Sequence, residues 1–92
     1  MRIVWTDKAR QIRNDLILYI AEDNVDAALE LDDKIDAAIM MLQEFPFSGK
    51  VGQVSGTREL VIHRHYVVVY EVNEDVLTIL LVVHTSQKYP SD

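Results

Sequence analysis

A run near the end of the chain, Val76-Leu77-Thr78-Ile79-Leu80-Leu81-Val82-Val83, limits the fold more than any other segment, because only one of its side chains is polar. A membrane helix needs roughly 20 apolar residues, so this run is far too short to span a bilayer. Flanked by Asn73-Glu74-Asp75 and His84, it is a strand over Val76–His84. A strand that is apolar on both faces belongs inside a sheet, under cover. The remaining residues have to provide that cover.

Two amphipathic helices can do so. From Asp7 the apolar residues Ala9, Ile12, Leu16, Tyr19 and Ile20 recur at three- and four-residue steps. After the polar break Glu22-Asp23-Asn24, Ala28, Leu31, Ile35, Ala38, Ile39 and Leu42 do the same. Thr6 is placed to cap the first helix, and Asn24 or Asp23 the second. So short a turn makes the two helices pack antiparallel. The second ends near Glu44, since Pro46 disfavours helical geometry at Phe45, and the glycines among residues 45–57 mark a loop. Met1–Trp5, Arg58–His63 and Tyr66–Val72 have strand character. The expected fold is α+β in the order β-α-α-β-β-β, a small, mainly antiparallel sheet covered by an antiparallel helical hairpin.

A chain of 92 residues buries about 60–65% of its unfolded surface and supports one core, so 1–92 is expected to be one domain. The formal charge is −6; residues 1–46 hold ten Asp/Glu against five Lys/Arg, and residues 47–92 hold five against four with all three histidines. Proteins that neutralise phosphates concentrate their Lys and Arg in a stripe, and this chain has none. The absence of cysteine excludes disulfides, thiolate metal sites and thiol nucleophiles. Asp32, Asp33 and Asp36 crowd one helix, but Lys34 lies among them and no glycine loop accompanies them, so they read as a solvated face. No metal and no cofactor are expected. With no signal-peptide stretch at the start, a cytoplasmic, unanchored protein without membrane contact is expected.

Three places carry possible chemistry. His63, Arg64 and His65 sit at a strand junction, where imidazoles can move protons and Arg64 can clamp a phosphate, or where polar side chains discourage edge pairing. His65 is the member most worth testing. His84 ends a strand close to Gln87, Lys88 and Tyr89; it can act as acid or base with the Tyr89 hydroxyl as a positioning group, or simply terminate the strand while Tyr89 packs its ring. Arg58 opens a strand, where it can hold the preceding loop through carbonyls or Glu44, or meet a partner.

Taken in order, Trp5-Thr6, the helix ending Tyr19-Ile20-Ala21-Glu22-Asp23-Asn24, Leu42-x-Glu44-Phe45-Pro46-x-x-Gly49, Gly56-Thr57-Arg58-Glu59-Leu60-Val61, Tyr66-x-Val68-Val69-Tyr70-x-Val72 and the closing His84-x-x-Gln87-x-Tyr89-Pro90 resemble the RelE/ParE superfamily of toxins from type II toxin–antitoxin systems. The resemblance runs from Trp5 to Pro90. It implies a RelE/ParE-like fold, a cognate antitoxin whose C-terminal segment wraps the toxin in a hetero-oligomer, and repression of the shared operon. It also implies one of two activities, cleavage of messenger RNA on the ribosome or poisoning of DNA gyrase, and fold alone does not choose between them.

RNA cleavage by a 2′-hydroxyl needs a base, an acid and a cation for the charge on the phosphorus centre. In RelE-like nucleases an arginine in Y-R-[LIV]-V-Y supplies that cation, with more arginines near the C-terminus. Here the position is Val67, and the final segment offers only Lys88. The resemblance is therefore closer to the ParE-like branch, a gyrase inhibitor that acts by binding and needs no catalytic residue. The alternative is a ribosome-dependent mRNA endoribonuclease using His84, His65, Lys88 and Tyr89. A further alternative is an inactive toxin that serves only as an antitoxin-binding module. Partner contacts are expected at Arg58, Arg64, His65, Val67 and Val69, with Val67, Val69 or the flank of the second helix exposed as apolar surface for the antitoxin.

Overall fold

Thr6 and Asn24 divide the first half of the chain. In the computed structural model, which describes residues 1–63, 65–87 and 89, strand β1 (Arg2–Trp5) leads into helix α1 (Asp7–Asp23), and helix α2 (Val25–Glu44) follows. Thr6 Oγ1 accepts the Ala9 N–H at 3.0 Å, and Asn24 Oδ1 accepts the Ala27 N–H at 3.0 Å. Asn24 also closes α1, donating its own N–H to the Ile20 carbonyl. One extended residue thus ends one helix and starts the next. Thr6→Ala is expected to lower the unfolding free energy by about 1 kcal/mol, read from a urea titration.

Four more strands, β2 (Lys50–Val51), β3 (Arg58–His63), β4 (Tyr66–Asn73) and β5 (Val76–His84), complete a sheet in the order β1-β5-β4-β3-β2. β1 runs parallel to β5, from Arg2↔Val76 to Trp5↔Ile79, and the other pairings are antiparallel. The α+β class and the interior place of Val76–His84 agree with the sequence. β2 does not: the loop between Glu44 and Arg58 contains a two-residue strand whose pairing, Lys50↔Glu59 and Val51↔Arg58, leaves no periodic signal. The β4–β5 register also steps from Tyr70↔Ile79 to Val69↔Leu81, leaving Leu80 as an extra residue. This bulge shifts the inward-facing set from Leu77 and Ile79 to Val82, so the apolar run serves both faces of the sheet.

The helical hairpin packs Ala9, Leu31, Ile35 and Leu42 on Val68, Tyr70, Leu77, Ile79 and Val82. Tyr19, expected on the inner face of α1, is exposed, as are Met40 and Met41 of α2. Ile17 packs toward the core instead. Arg13 also faces inward, its guanidinium 5.2 Å from the centre of the Trp5 ring and its Nη2 2.8 Å from both Asp32 Oδ1 and Asp36 Oδ1. Burial opposes its charge, but hydrogen bonds to Asp36 and Asp32 outweigh that and hold the group above its usual range. Asp32 and Asp36 are therefore joined to α1 through Arg13, where the sequence suggests a solvated face.

The segment between α2 and β2 is fixed by Tyr70, which is fully buried. Its hydroxyl donates to the Pro46 carbonyl at 2.9 Å and accepts the Gly49 N–H at 3.0 Å. From the other side Arg58 donates to the Gly49 carbonyl at 2.8 Å, with its guanidinium 5.0 Å from the centre of the Phe47 ring. Arg58 thus holds the preceding loop through its carbonyls, and no ion pair joins it to Glu44. Among the described residues no helix is long and apolar enough to cross a membrane.

Candidate functional site

The helices cover one face of the sheet, and chemistry collects on the other. Strand alternation sends Glu59, Val67, Val69, Leu81 and Val83 away from the helices. Val67, Val69 and Val83 form a second apolar cluster, with Leu81 and the Tyr89 ring packed on it. Beside this floor lies a basin of about 240 Å³, lined by Lys50, Glu59, His84, Gln87 and Tyr89 among others. The residues come from β2, β3, β5 and the turn after β5, so the fold alone brings them together.

Glu59 is the centre of the basin and only 7% exposed. Its Oε2 accepts the Gln53 N–H at 3.2 Å and the Tyr89 hydroxyl, and its Oε1 lies 3.8 Å from Lys50 Nζ. Sequence reasoning passes over this residue. The signal available is the alternation of β3, where a carboxylate stands on the same face as Val61, opposite Leu60 and Ile62. The carboxylate is satisfied from three sides, which makes burial tolerable. Tyr89 thereby lies as a strap over the apolar floor, held by a residue 30 positions away.

Two of the three histidines meet face to face. His65, in the β3–β4 turn, stacks on His84 with ring centres 5.5 Å apart and planes 4° from parallel, and Tyr66 meets His84 edge-on at 5.2 Å. His63 lies 5.9 Å from His65. The Ser86 N–H donates to His84 Nδ1 at 3.1 Å, and Ser86 Oγ lies 2.7 Å from the same nitrogen. An N–H can only donate, so Nδ1 is an acceptor and the proton of the neutral ring sits on Nε2. Gln87 completes the turn: its Oε1 accepts the His84 N–H at 2.8 Å, and its own N–H donates to the His84 carbonyl at 2.9 Å. The spacing His84-x-x-Gln87 is thus a strand-ending device.

Of the nuclease candidates, His84 and Tyr89 share the basin and His65 joins them through His84. Lys88 lies outside the described residues, as do Arg64 and Pro90. Of the expected partner contacts, His65 is exposed, whereas Arg58 is turned to the loop. The expectation that Val67 and Val69 form exposed apolar surface is corrected: they are 8% and 1% exposed, because Leu81 and Tyr89 cover them. Where the nuclease pattern puts an arginine, this chain has a valine in an apolar floor. Lys50 is the one cation among the described residues lining the basin, and it faces Glu59.

Comparison with known proteins places these observations. The family model described as "ParE toxin of type II toxin-antitoxin system, parDE" matches residues 3–89. A Sinorhizobium fredii protein named "Putative toxin Y4kP" is 38% identical over 90 residues, covering 97% of this chain and 93% of that protein. Among solved structures, the chromosomal ParDE toxin–antitoxin system from P. aeruginosa superposes with a TM-score of 0.79 at 22% identity, covering 91% of this chain and 95% of that one. A YoeB/ParE toxin from Agrobacterium tumefaciens superposes with a TM-score of 0.65 at 19% identity, covering 91% and 98%. At such identities the structures establish likeness of fold.

Proposed function

This chain belongs to the ParE family of toxins of type II toxin–antitoxin systems, and from that premise we propose that it inhibits DNA gyrase by binding and is neutralised by a cognate antitoxin. The observation that carries the gyrase reading is Val67. A transition state with charge on phosphorus needs a preorganised cation, and the position that supplies one in the nuclease pattern is here buried among Val69, Val83 and Tyr89. Poisoning by binding asks for no such group.

The antitoxin reading rests on exposed apolar side chains. Leu18 and Tyr19 at the end of α1 and Val25 and Leu29 at the start of α2 are all exposed, a surface that an amphipathic helix would cover. The solved relative from P. aeruginosa is described as a ParDE toxin–antitoxin system, which supports such a partner. His65, which is exposed, is kept as a partner contact.

The ribonuclease reading has one observation in its favour: Glu59, His84 and Tyr89 do line one basin. The two readings separate in a purified system. With this protein present, gyrase is expected to accumulate cleaved plasmid DNA, and the combined variant Glu59→Gln, His84→Ala, Tyr89→Phe is expected to retain the effect. Loss of general acid–base groups costs a nuclease on the order of 10² to 10⁴ in rate. A folded triple variant that no longer arrests growth, together with a wild-type protein inert toward gyrase, would overturn the proposal in favour of RNA cleavage.

A further inference from the structure

The turn that closes β5 aims a hydroxyl at an imidazole. Ser86 is exposed, and its Oγ lies 2.7 Å from His84 Nδ1. The Ser86 N–H donates to that same nitrogen at 3.1 Å, so Nδ1 carries no proton. The only hydrogen left for the shorter contact is that of the hydroxyl, and the Ser86 O–H therefore donates to a base. The distance falls in the range of about 2.6–3.2 Å that joins a nucleophile to its general base. The base is itself held in orientation. His65, from the β3–β4 turn, stacks on the His84 ring with planes 4° from parallel, and Tyr66 of β4 meets that ring edge-on. The backbone of the turn is fixed by Gln87, which bonds both the N–H and the carbonyl of His84. A hydroxyl, a base with its lone pair turned to it and further groups that orient the base are the parts that activate a serine.

The surroundings narrow the electrophile. Thr85 and Gln87, the chain neighbours of Ser86, line the basin that also holds Val61, Val67 and Val83. Its charges answer one another: Lys50 faces Glu59, and the Tyr89 hydroxyl is given to the same carboxylate. A phosphoryl donor brings negative charge that calls for free cations, whereas an acyl donor reacts at a neutral carbonyl carbon and can rest an aliphatic chain on valines. We propose that Ser86 is an acylation site, activated by His84, that takes an acyl group from an activated ester or thioester. Ser86 Oγ forms a bond to the carbonyl carbon while the hydroxyl proton passes to His84 Nδ1. The tetrahedral adduct then breaks its bond to the leaving oxygen or sulfur, which takes the proton from Nδ1 and departs as the alcohol or thiol. The product is an O-acyl serine beside a neutral histidine. This site does not depend on which cellular target the toxin acts on.

The test treats the full chain with p-nitrophenyl acetate, quenches in acid and maps the acetylated residues by mass spectrometry of peptides. Ser55, exposed in the β2–β3 turn, is the control within the same molecule. A general base contributes on the order of 10² to 10⁴ in rate, so Ser86 is expected to be acetylated at least about tenfold faster than Ser55. Between about pH 5 and pH 9 the Ser86 rate is expected to rise and then level off once the imidazole is neutral. The Ser55 rate should keep rising in proportion to hydroxide. His84→Ala is expected to bring Ser86 down to the rate of Ser55. Because that variant can also disturb the turn, the wild-type pH profile decides the matter without it. Equal labelling of Ser86 and Ser55, a Ser86 rate that follows hydroxide throughout, or acetyl found on His84 alone would each overturn the proposal.

Discussion

Tyr70→Phe lowers the free energy of unfolding by about 2–4 kcal/mol, although it removes a single oxygen atom. That hydroxyl serves two backbone groups at once, donating to the Pro46 carbonyl and accepting the Gly49 N–H. A hydrogen bond contributes roughly 1 kcal/mol net, and a buried N–H left without an acceptor costs about 1–3 kcal/mol more. The bond to the Gly49 N–H is buried, so water has little access to replace the oxygen there. Urea unfolding measures the loss, and faster hydrogen exchange at Gly49 locates it. The alkaline limb of stability gives an independent check. Burial pushes the Tyr70 phenol above its ordinary range, against smaller opposing effects of the Gly49 hydrogen bond and the Arg58 charge. A group whose folded pKa is raised contributes stability that is complete below its unfolded value, about 10 for tyrosine, and that is lost as the pH climbs through the folded value. The wild-type protein should therefore lose stability above pH about 10 more steeply than Tyr70→Phe does. Parallel alkaline limbs would mean that the hydroxyl is not the buried anchor described here.

Gly49→Ala acts on the same anchor from the opposite side. A Cβ at this position would lie 2.6 Å from the Tyr70 hydroxyl oxygen and 2.8 Å from the Glu59 carbonyl oxygen. The second of these belongs to the backbone of β3 and has little room to yield. Overpacking of this kind costs about 1–3 kcal/mol, and displacement of the Gly49 N–H from Tyr70 adds the loss of that bond. A total of about 3 kcal/mol is expected, measured as above. The two substitutions share a contact, so they cannot add independently. In the Tyr70→Phe background the methyl group meets no hydroxyl and there is no bond left to break. Gly49→Ala should then cost roughly half of what it costs in the wild type. Strict additivity would show that the loop and Tyr70 are not coupled.

Local signals make most of the fold legible in the sequence. Thr6 and Asn24 cap the helices because a side-chain oxygen followed by an amphipathic repeat has few other uses. The limits of β3 and β5 follow from composition and from the turn at Asn73-Glu74-Asp75. What escapes depends on residues far apart in the chain. β2 exists only through its pairing with Glu59 and Arg58, and the Leu80 bulge is a property of register. Tyr19 belongs to the three- and four-residue pattern, yet Ile17 and Arg13 face the core in its place because the sheet meets α1 along a stripe centred elsewhere. The site is less legible still. His84 and Tyr89 stand out by the chemistry of their side chains, and His65 joins them only when the sheet folds. Glu59 escapes because an acid within a strand looks like a solvent-facing charge, and it becomes central once Tyr89 closes over it. Val67 and Val69 look like exposed surface because nothing in the sequence shows that a tyrosine 20 or more positions later in the chain returns to cover them.

The most direct measurement follows the incorporation of labelled DNA and protein precursors in bacteria during the first minutes after this chain is induced without an antitoxin. The proposed gyrase inhibitor stops DNA synthesis first, while protein synthesis continues. If protein synthesis collapses first, Glu59, His84 and Tyr89 form the working site of a ribonuclease and the reading built on Val67 is wrong.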